Sequence, residues 1–339
     1  MGEVPSAGVS GAYRAYSGAS VLITGGLGFI GSNLAIALVG LGSSVTIVDN
    51  LLAEHGANKF NIEPVRGEVR VEQADVRDEA RMSELVRGQD VIFHLAGQND
   101  HVRSAVEPFL DIDINVRGTA VLLEACRLHN GEARVIYTGT RGEYGAVDHV
   151  PVSEDAPTRP KGVYELTSLT AQHLMRIYHE NHGLRTVSTR LTNIYGERSQ
   201  MRHPRFGVAN WFIRLALEDR PIQIFGSGTI RRDFLYVADC IDALLGLGLC
   251  DGAIGGVFNV GNEEPSCFLD FARAVISEAG RGSIEMVPFT PERAAQEPGD
   301  YVSDTARIRS VSGWKPRTPL NEGIARTLAY YRSHREHYW

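Results

Sequence analysis

This sequence predicts a doubly wound α/β fold of Rossmann type, with a parallel sheet covered by helices on both faces and a smaller mixed α/β lobe after it. Three observations predict it. Short β-branched apolar runs alternate with segments of helical apolar spacing, those segments frequently end at glycine, and the regular alternation stops after Leu191. Parallel strands cannot be joined by tight turns, so each neighbouring pair demands a crossover helix.

Taken in order, SVLIT (20–24), SVTIVD (44–49), VIFHLA (91–96), RVIYTG (134–139) and RTVSTRL (185–191) read as strands. GFIGSNLAIALVGLG, EARMSELVRG, NVRGTAVLLEACRLHNG and YELTSLTAQHLMRIYHENHG read as the helices between and after them. Beyond Leu191 come the polar, turn-rich NIYGERSQMRHPRFG, a short helix at WFIRLALE, a strand at IQIFGSG, and helices at VADCIDALLGLGLC, FLDFARAVISEAG and from Leu320 onward. The expected organisation is a flexible Gly/Ser/Ala-rich tail over 1–18 and a dinucleotide-binding domain over 19–190, with later contributions from about 233–261. A mainly substrate-binding lobe over 191–339 completes it.

Composition excludes several classes. The 339 residues carry 34 Lys and Arg against 41 Asp and Glu, a net charge of −7, which argues against a nucleic-acid backbone as partner. The four cysteines (Cys126, Cys240, Cys250, Cys267) are scattered, with no CxxC pair and no His/Cys group at ligand spacing. Free thiols in a cytoplasmic protein are expected, and no metal site. The first residues lack the apolar stretch of a signal peptide, and no run approaches the roughly 18 apolar residues of a membrane span.

TGGLGFIGSNLA places Gly25, Gly28 and Gly31 between the first strand and first helix. Glycine allows the tight turn, the approach of backbone amides to a pyrophosphate and close helix packing, while the helix N-terminus favours an anion. Asp49 closes the second strand 24 residues after Gly25, where a carboxylate accepts hydrogen bonds from a ribose and repels a 2′-phosphate. NAD is therefore expected rather than NADP. Asp75 is read either as a contact to the adenine amino group or as a solvated acid at a strand end.

Ordered motifs from about residue 20 to 330 carry a family resemblance: TGGLGFIG, VDN, HLAGQ, DINVRGT, YTGTRGEYG, Tyr164, TRLTNIYG, RRDFLYVAD and VFNVG. Together the chain resembles the extended short-chain dehydrogenase/reductases, within them the NAD-dependent nucleotide-sugar epimerases and dehydratases. The resemblance implies a cofactor site that includes Phe29, Ile30, Asn50, Val76, Leu95, Ala96, Gln98, Asn115 and Tyr164 beside the residues above. It implies a nucleotide-diphosphate sugar between the lobes, oxidised transiently at a hydroxyl and reduced again. It also implies a homodimer formed by the helix after Asn115 and the Tyr164 helix.

Tyr164 matches the family base and Thr140 the hydroxyl residue that assists it, but the lysine expected four residues after the tyrosine is Ser168. An ammonium there would favour the phenolate; a hydroxyl can still bond a ribose but carries no charge. Lys161, Arg141 or the positive nicotinamide ring are the cations considered in its place, and His94 or His101 the alternative bases. Three accounts of Ser168 stand open: catalysis without the lysine, binding without turnover, or a deliberately disabled sequence.

For the substrate, the resemblance nominates Thr140, Arg141, Asn193, Phe225, read equally as lying along the nucleotide base or as a core aromatic, and Arg232 on the diphosphate. An arginine fork matches phosphate oxygens bidentately; the alternative is a surface arginine paired with Asp233 or Asp239. Glu297 stands before Pro298 where relatives carry arginine, so either it points away or the substrate is held differently, with Arg293 as the replacement cation. After Thr140 come Arg141 and Gly142 rather than the Asp-Glu of sugar dehydratases, and Gly142 also fills the slot where decarboxylases carry glutamate. C4 epimerisation is the expected reaction; dehydration, decarboxylation, net reduction or binding alone are the alternatives.

Overall fold

The computed structural model describes residues 13–52, 55–291 and 297–339. Seven parallel strands form the central sheet: β1 (Ser20–Thr24), β2 (Ser44–Val48), β3 (Val69–Glu72), β4 (Val91–His94), β5 (Arg134–Thr140), β6 (Arg185–Leu191) and β7 (Val257–Val260). Their spatial order is β3-β2-β1-β4-β5-β6-β7. Strand β7 comes from the second half of the chain and pairs with β6 through Val257↔Ser188 to Val260↔Leu191.

Alternation along β1 shows how both faces are filled. Val21 and Ile23 join one core cluster with Leu34, Leu38 and Phe93, while Leu22 joins the other with Met82, Leu122, Val135 and Met175. Helix α1 (Phe29–Gly40) covers the first face. The second is covered by α2 (Glu79–Leu85), and by α3 (Gly118–His129) and α4 (Val163–His182) further along. Helix α4 ends as its sequence dictates, with Gly183 at φ 71° donating to His179 O.

The direction of winding reverses between β1 and β4, where Thr24 stands beside both Val48 and His94. A crevice opens beyond the strand ends at such a switch point, and the cleft of this protein lies there.

The segment expected to be a flexible tail is ordered over its described part. Tyr16 is fully buried and donates to Leu245 O at 3.0 Å, and Tyr13 donates to Asp242 Oδ1 at 2.8 Å. Two aromatic rings in an otherwise small-residue stretch supply enough apolar surface to hold it down. The C-terminus also returns to the first lobe, where Tyr338 Oη donates to Asn61 Oδ1 at 2.7 Å. Cys126 and Cys240 are buried free thiols, and Cys250 and Cys267 are free and partly exposed.

Candidate active site

The cleft encloses about 500 Å³. At its glycine end the backbone leaves no room for side chains: a Cβ on Gly25 would lie 2.8 Å from Ala96 N, and one on Gly31 would lie 2.4 Å from Gly25 O. Gly25 also has φ +70°, a conformation that side chains disfavour. Gly28 caps α1 with no side-chain bond of its own, leaving the first helical amides directed outward. Phe29, Ile30, Val76, Leu95, Ala96 and Gln98 all face this space.

Asp49 is buried and lines the cleft, with Oδ2 accepting from Leu27 N at 3.1 Å and Oδ1 from Leu51 N at 2.9 Å. Burial raises its pKa, and these two amides work against that rise. Asp75 is placed differently. Its two oxygens accept from Arg77 N, Nε and Nη2 and from Asn50 Nδ2, which fills four acceptor positions and holds the carboxyl far below its usual range. It is not among the residues facing the cleft and acts as a clamp on Asn50, which is. Asn115 sits in a π-helical turn (Ile112–Arg117) and accepts from Gln98 N at 2.8 Å while donating to Thr167 Oγ1 at 3.0 Å. It thereby ties the loop after β4 to α4.

Tyr164 and Ser168 share one face of α4, and both line the cleft with Thr140. Burial raises the pKa of Tyr164; a hydrogen bond with Thr140 opposes this, and the carboxylates of Glu165, Glu143 and Asp111 reinforce it. In the resting protein Tyr164 is a neutral phenol. Ser168 is buried, with Oγ donating to Glu143 Oε1 at 3.0 Å and 3.1 Å from Tyr137 Oη. Glu143 in turn accepts from Thr140 N at 3.0 Å and pairs with Arg190 Nε at 3.0 Å. Burial pushes Glu143 upward, and Arg190 is the main group holding it back. The surroundings of Ser168 thus hold a buried ion pair that motif reading missed, because Glu143 and Arg190 come from different strand ends.

The two histidines considered as alternative bases separate. His94 is in the core, with Nδ1 2.8 Å from Thr24 Oγ1 and Nε2 3.0 Å from Thr119 Oγ1, and burial lowers its pKa to about 4. It is structural. His101 lines the cleft, its ring edge-on to Tyr164 at 4.9 Å and its Nδ1 2.9 Å from Glu165 Oε1. Burial works to raise the Glu165 pKa, but the hydrogen bond and charge of His101, with a backbone amide and Arg141, together leave the carboxyl below its ordinary range.

Past Tyr164, Asn193 faces the cleft and accepts from Arg141 Nε at 3.4 Å. Burial lowers the pKa of Arg141 to about 10, aided by the like charge of Arg232. Arg232 is buried at 1% exposure, so it is not a surface arginine. Asp233 instead bonds Thr192 and Ser303 N, and Asp239 the amides of Arg317 and Thr318. Asn193 Nδ2 and Arg232 Nε are buried donors without a hydrogen-bond partner among the described residues. Glu297 neither points away nor stands as a bare repulsive charge, since its Oε1 accepts from Arg232 Nη2 at 2.5 Å. Lys161 donates to Glu297 O at 3.5 Å. Phe225 packs on Phe289 at 6.0 Å and is not among the residues facing the cleft. Arg293 lies outside the described residues.

Among the described residues no group of three or more His, Cys, Asp or Glu is arranged to hold a metal ion, and no helix is long and apolar enough to cross a membrane.

The sequence profile of the NAD dependent epimerase/dehydratase family matches residues 21–261. A UDP-glucose 4-epimerase of Mycolicibacterium smegmatis is 33% identical over 319 residues, covering 92% of this chain and 98% of the relative. A dTDP-glucose 4,6-dehydratase of Streptomyces griseus is 31% identical, covering 93% and 94%. The solved structure of a Thermus thermophilus UDP-glucose 4-epimerase in complex with NAD superposes with a TM-score of 0.80 at 28% identity, covering 92% of this chain and 99% of that one.

Proposed function

We propose, from the premise that this chain belongs to the NAD dependent epimerase/dehydratase family, that it inverts C4 of a nucleoside-diphosphate sugar through a transient 4-keto sugar. NAD is the cofactor: the side-chain-free cradle at Gly25 and Gly31, the open N-terminus of α1 and the Asp49 carboxylate fit its pyrophosphate and ribose. When bound, NAD supplies a hydride acceptor and a positive ring beside the sugar.

The observation that carries the reading is the pairing of Tyr164 with Thr140 on the cleft wall, which Asn193 also lines; Arg141, bonded to Asn193, and Arg232 are not among the lining residues. Tyr164 takes the proton of the sugar hydroxyl through its phenol oxygen and later returns it. Thr140 holds that oxygen in place. Because carboxylates rather than a lysine surround Tyr164, its ionisation awaits a filled site. Ser168 does not supply a charge; it anchors α4 to Glu143. Asn193 Nδ2 and Arg232 Nε, buried donors lacking partners, suit a diphosphate whose oxygens satisfy them.

The test is NMR of UDP- and dTDP-glucose incubated with NAD-loaded protein. A C4 epimer is expected, and Tyr164→Phe should slow its formation roughly 1000-fold, within the range of a lost general base. Undiminished conversion by that variant overturns the reading. A second reading, loss of water from the same sugar, has support in the acid–base pair His101–Glu165 beside Tyr164 and appears in the same spectra. The two helices α3 and α4 expose Leu128, Leu166 and Ile177, which supports a homodimer through them.

A further inference from the structure

Hydride-based inversion at one carbon needs a single proton-transfer group, yet the cleft holds a second one. His101 is 59% exposed at its side chain and lines the same space as Tyr164, with the two rings in contact at 4.9 Å. Its Nδ1 lies 2.9 Å from Glu165 Oε1. A carboxylate accepts, so Nδ1 carries a proton, and in the neutral ring the lone pair is then on Nε2, the arrangement that orients an imidazole as a base.

Glu165 is itself held fast. Its side chain is 14% exposed and lies against two glycines: a Cβ on Gly142 would be 2.6 Å from Glu165 Cγ, and one on Gly162 would be 2.4 Å from Glu165 Oε2. The position two residues after Thr140 therefore lacks a side chain, and the space over it is taken by a carboxylate from the next residue after Tyr164. An ordinary surface ion pair has no such walls. The pair is built into the wall that carries Tyr164 and Thr140.

We propose that His101, oriented by Glu165, exchanges the carbon-bound hydrogen next to the ketone of a nucleoside-diphosphate keto sugar. This deepens the reading above and rests on its sugar substrate. Nε2 takes the proton from the carbon beside the carbonyl, the C–H electron pair becomes the C=C bond of an enolate, and the carbonyl π pair moves onto oxygen. The exposed imidazolium trades that proton with solvent and delivers a solvent-derived one to the same face of the carbon, which restores the ketone. No electrons leave the sugar. Imidazole gives and takes protons near neutrality, which suits a C–H made acidic by an adjacent carbonyl.

The experiment supplies the ketone ready-made, so that it does not depend on the oxidation step. UDP- and dTDP-4-keto-6-deoxyglucose are incubated with the NAD-loaded protein in D2O, and deuterium at the carbons flanking the carbonyl is followed by NMR against a protein-free control. Exchange above the control is expected, falling at least about 100-fold in His101→Gln and about tenfold in the positioning variant Glu165→Gln, with retained binding of both sugars. Exchange at the control rate in the wild-type protein, or unchanged exchange in His101→Gln, overturns the proposal. Either result leaves the Tyr164 reading to its own test. Conversely, exchange of the supplied ketone with no C4 epimer formed from the glucose nucleotides would sustain the dyad and remove the epimerase reading.

Discussion

At the glycine end of the cleft, recognition rests on the absence of side chains: Gly25 and Gly31 let backbone meet backbone, and one buried carboxylate, Asp49, is satisfied by two amides. At the Tyr164 end the walls are crowded with charge, with Glu143 against Arg190, Glu297 against Arg232 and Glu165 against His101. The first end is set by shape and local geometry, the second by ion pairs whose members lie tens of residues apart. Each end is therefore fragile in its own way. A steric site fails when atoms are added, and a charged site fails when one partner is taken away.

Three changes probe that contrast. The largest effect is expected from Arg190→Met, which leaves Glu143 buried and uncompensated. Removing one member of a buried pair costs about 3–5 kcal/mol, whereas replacing both is far less costly. Denaturant midpoints should show a large loss for the single variant and most of it regained by Glu143→Leu/Arg190→Met. A loss below about 1 kcal/mol in the single variant would erase the distinction between the two ends.

Next comes acid. His94, in the core rather than on the cleft wall, is neutral in the fold with its pKa lowered to about 4 from 6.5. Between those values the unfolded chain binds a proton that the folded chain refuses, so stability falls as pH drops through 6.5 and the contribution is exhausted below about 4. The loss is on the order of 3 kcal/mol. Urea titrations from pH 7 to 4 should show a flatter slope in His94→Gln; an identical slope assigns the acid sensitivity elsewhere.

The smallest effect is expected from Gly31→Ala. Its Cβ would stand 2.4 Å from Gly25 O, and overpacking of this kind costs about 1–3 kcal/mol. NAD affinity, followed by calorimetry, should weaken roughly ten- to hundredfold with little change in the charged end. Unaltered affinity would show that the cradle is looser than its contacts imply.

How much of this was legible beforehand depended on sequence distance. The strands from SVLIT to RTVSTRL, the glycine turn and the acid closing β2 are local patterns, and the sheet contains them nearly residue for residue. Tyr13 and Tyr16 were hidden because small, polar neighbours mask two anchoring rings whose partners, Asp242 and Leu245, are 229 residues away. The sequence around Asp75 is compatible with two roles, and only the position of Arg77 and Asn50 around its carboxylate makes it a clamp.

Local patterns suffice for the layered α/β architecture, the cofactor cradle and the alignment of Tyr164 with Ser168 on one helix face, because periodicity and backbone sterics act over a few residues. Tertiary structure alone decided what surrounds them: that Ser168 leans on a Glu143–Arg190 pair, that Glu297 satisfies Arg232, and that His101 and Glu165 meet beside Tyr164. Buried charges take their pKa and their partners from groups brought together by the crossing of strand ends, and no local pattern records that meeting.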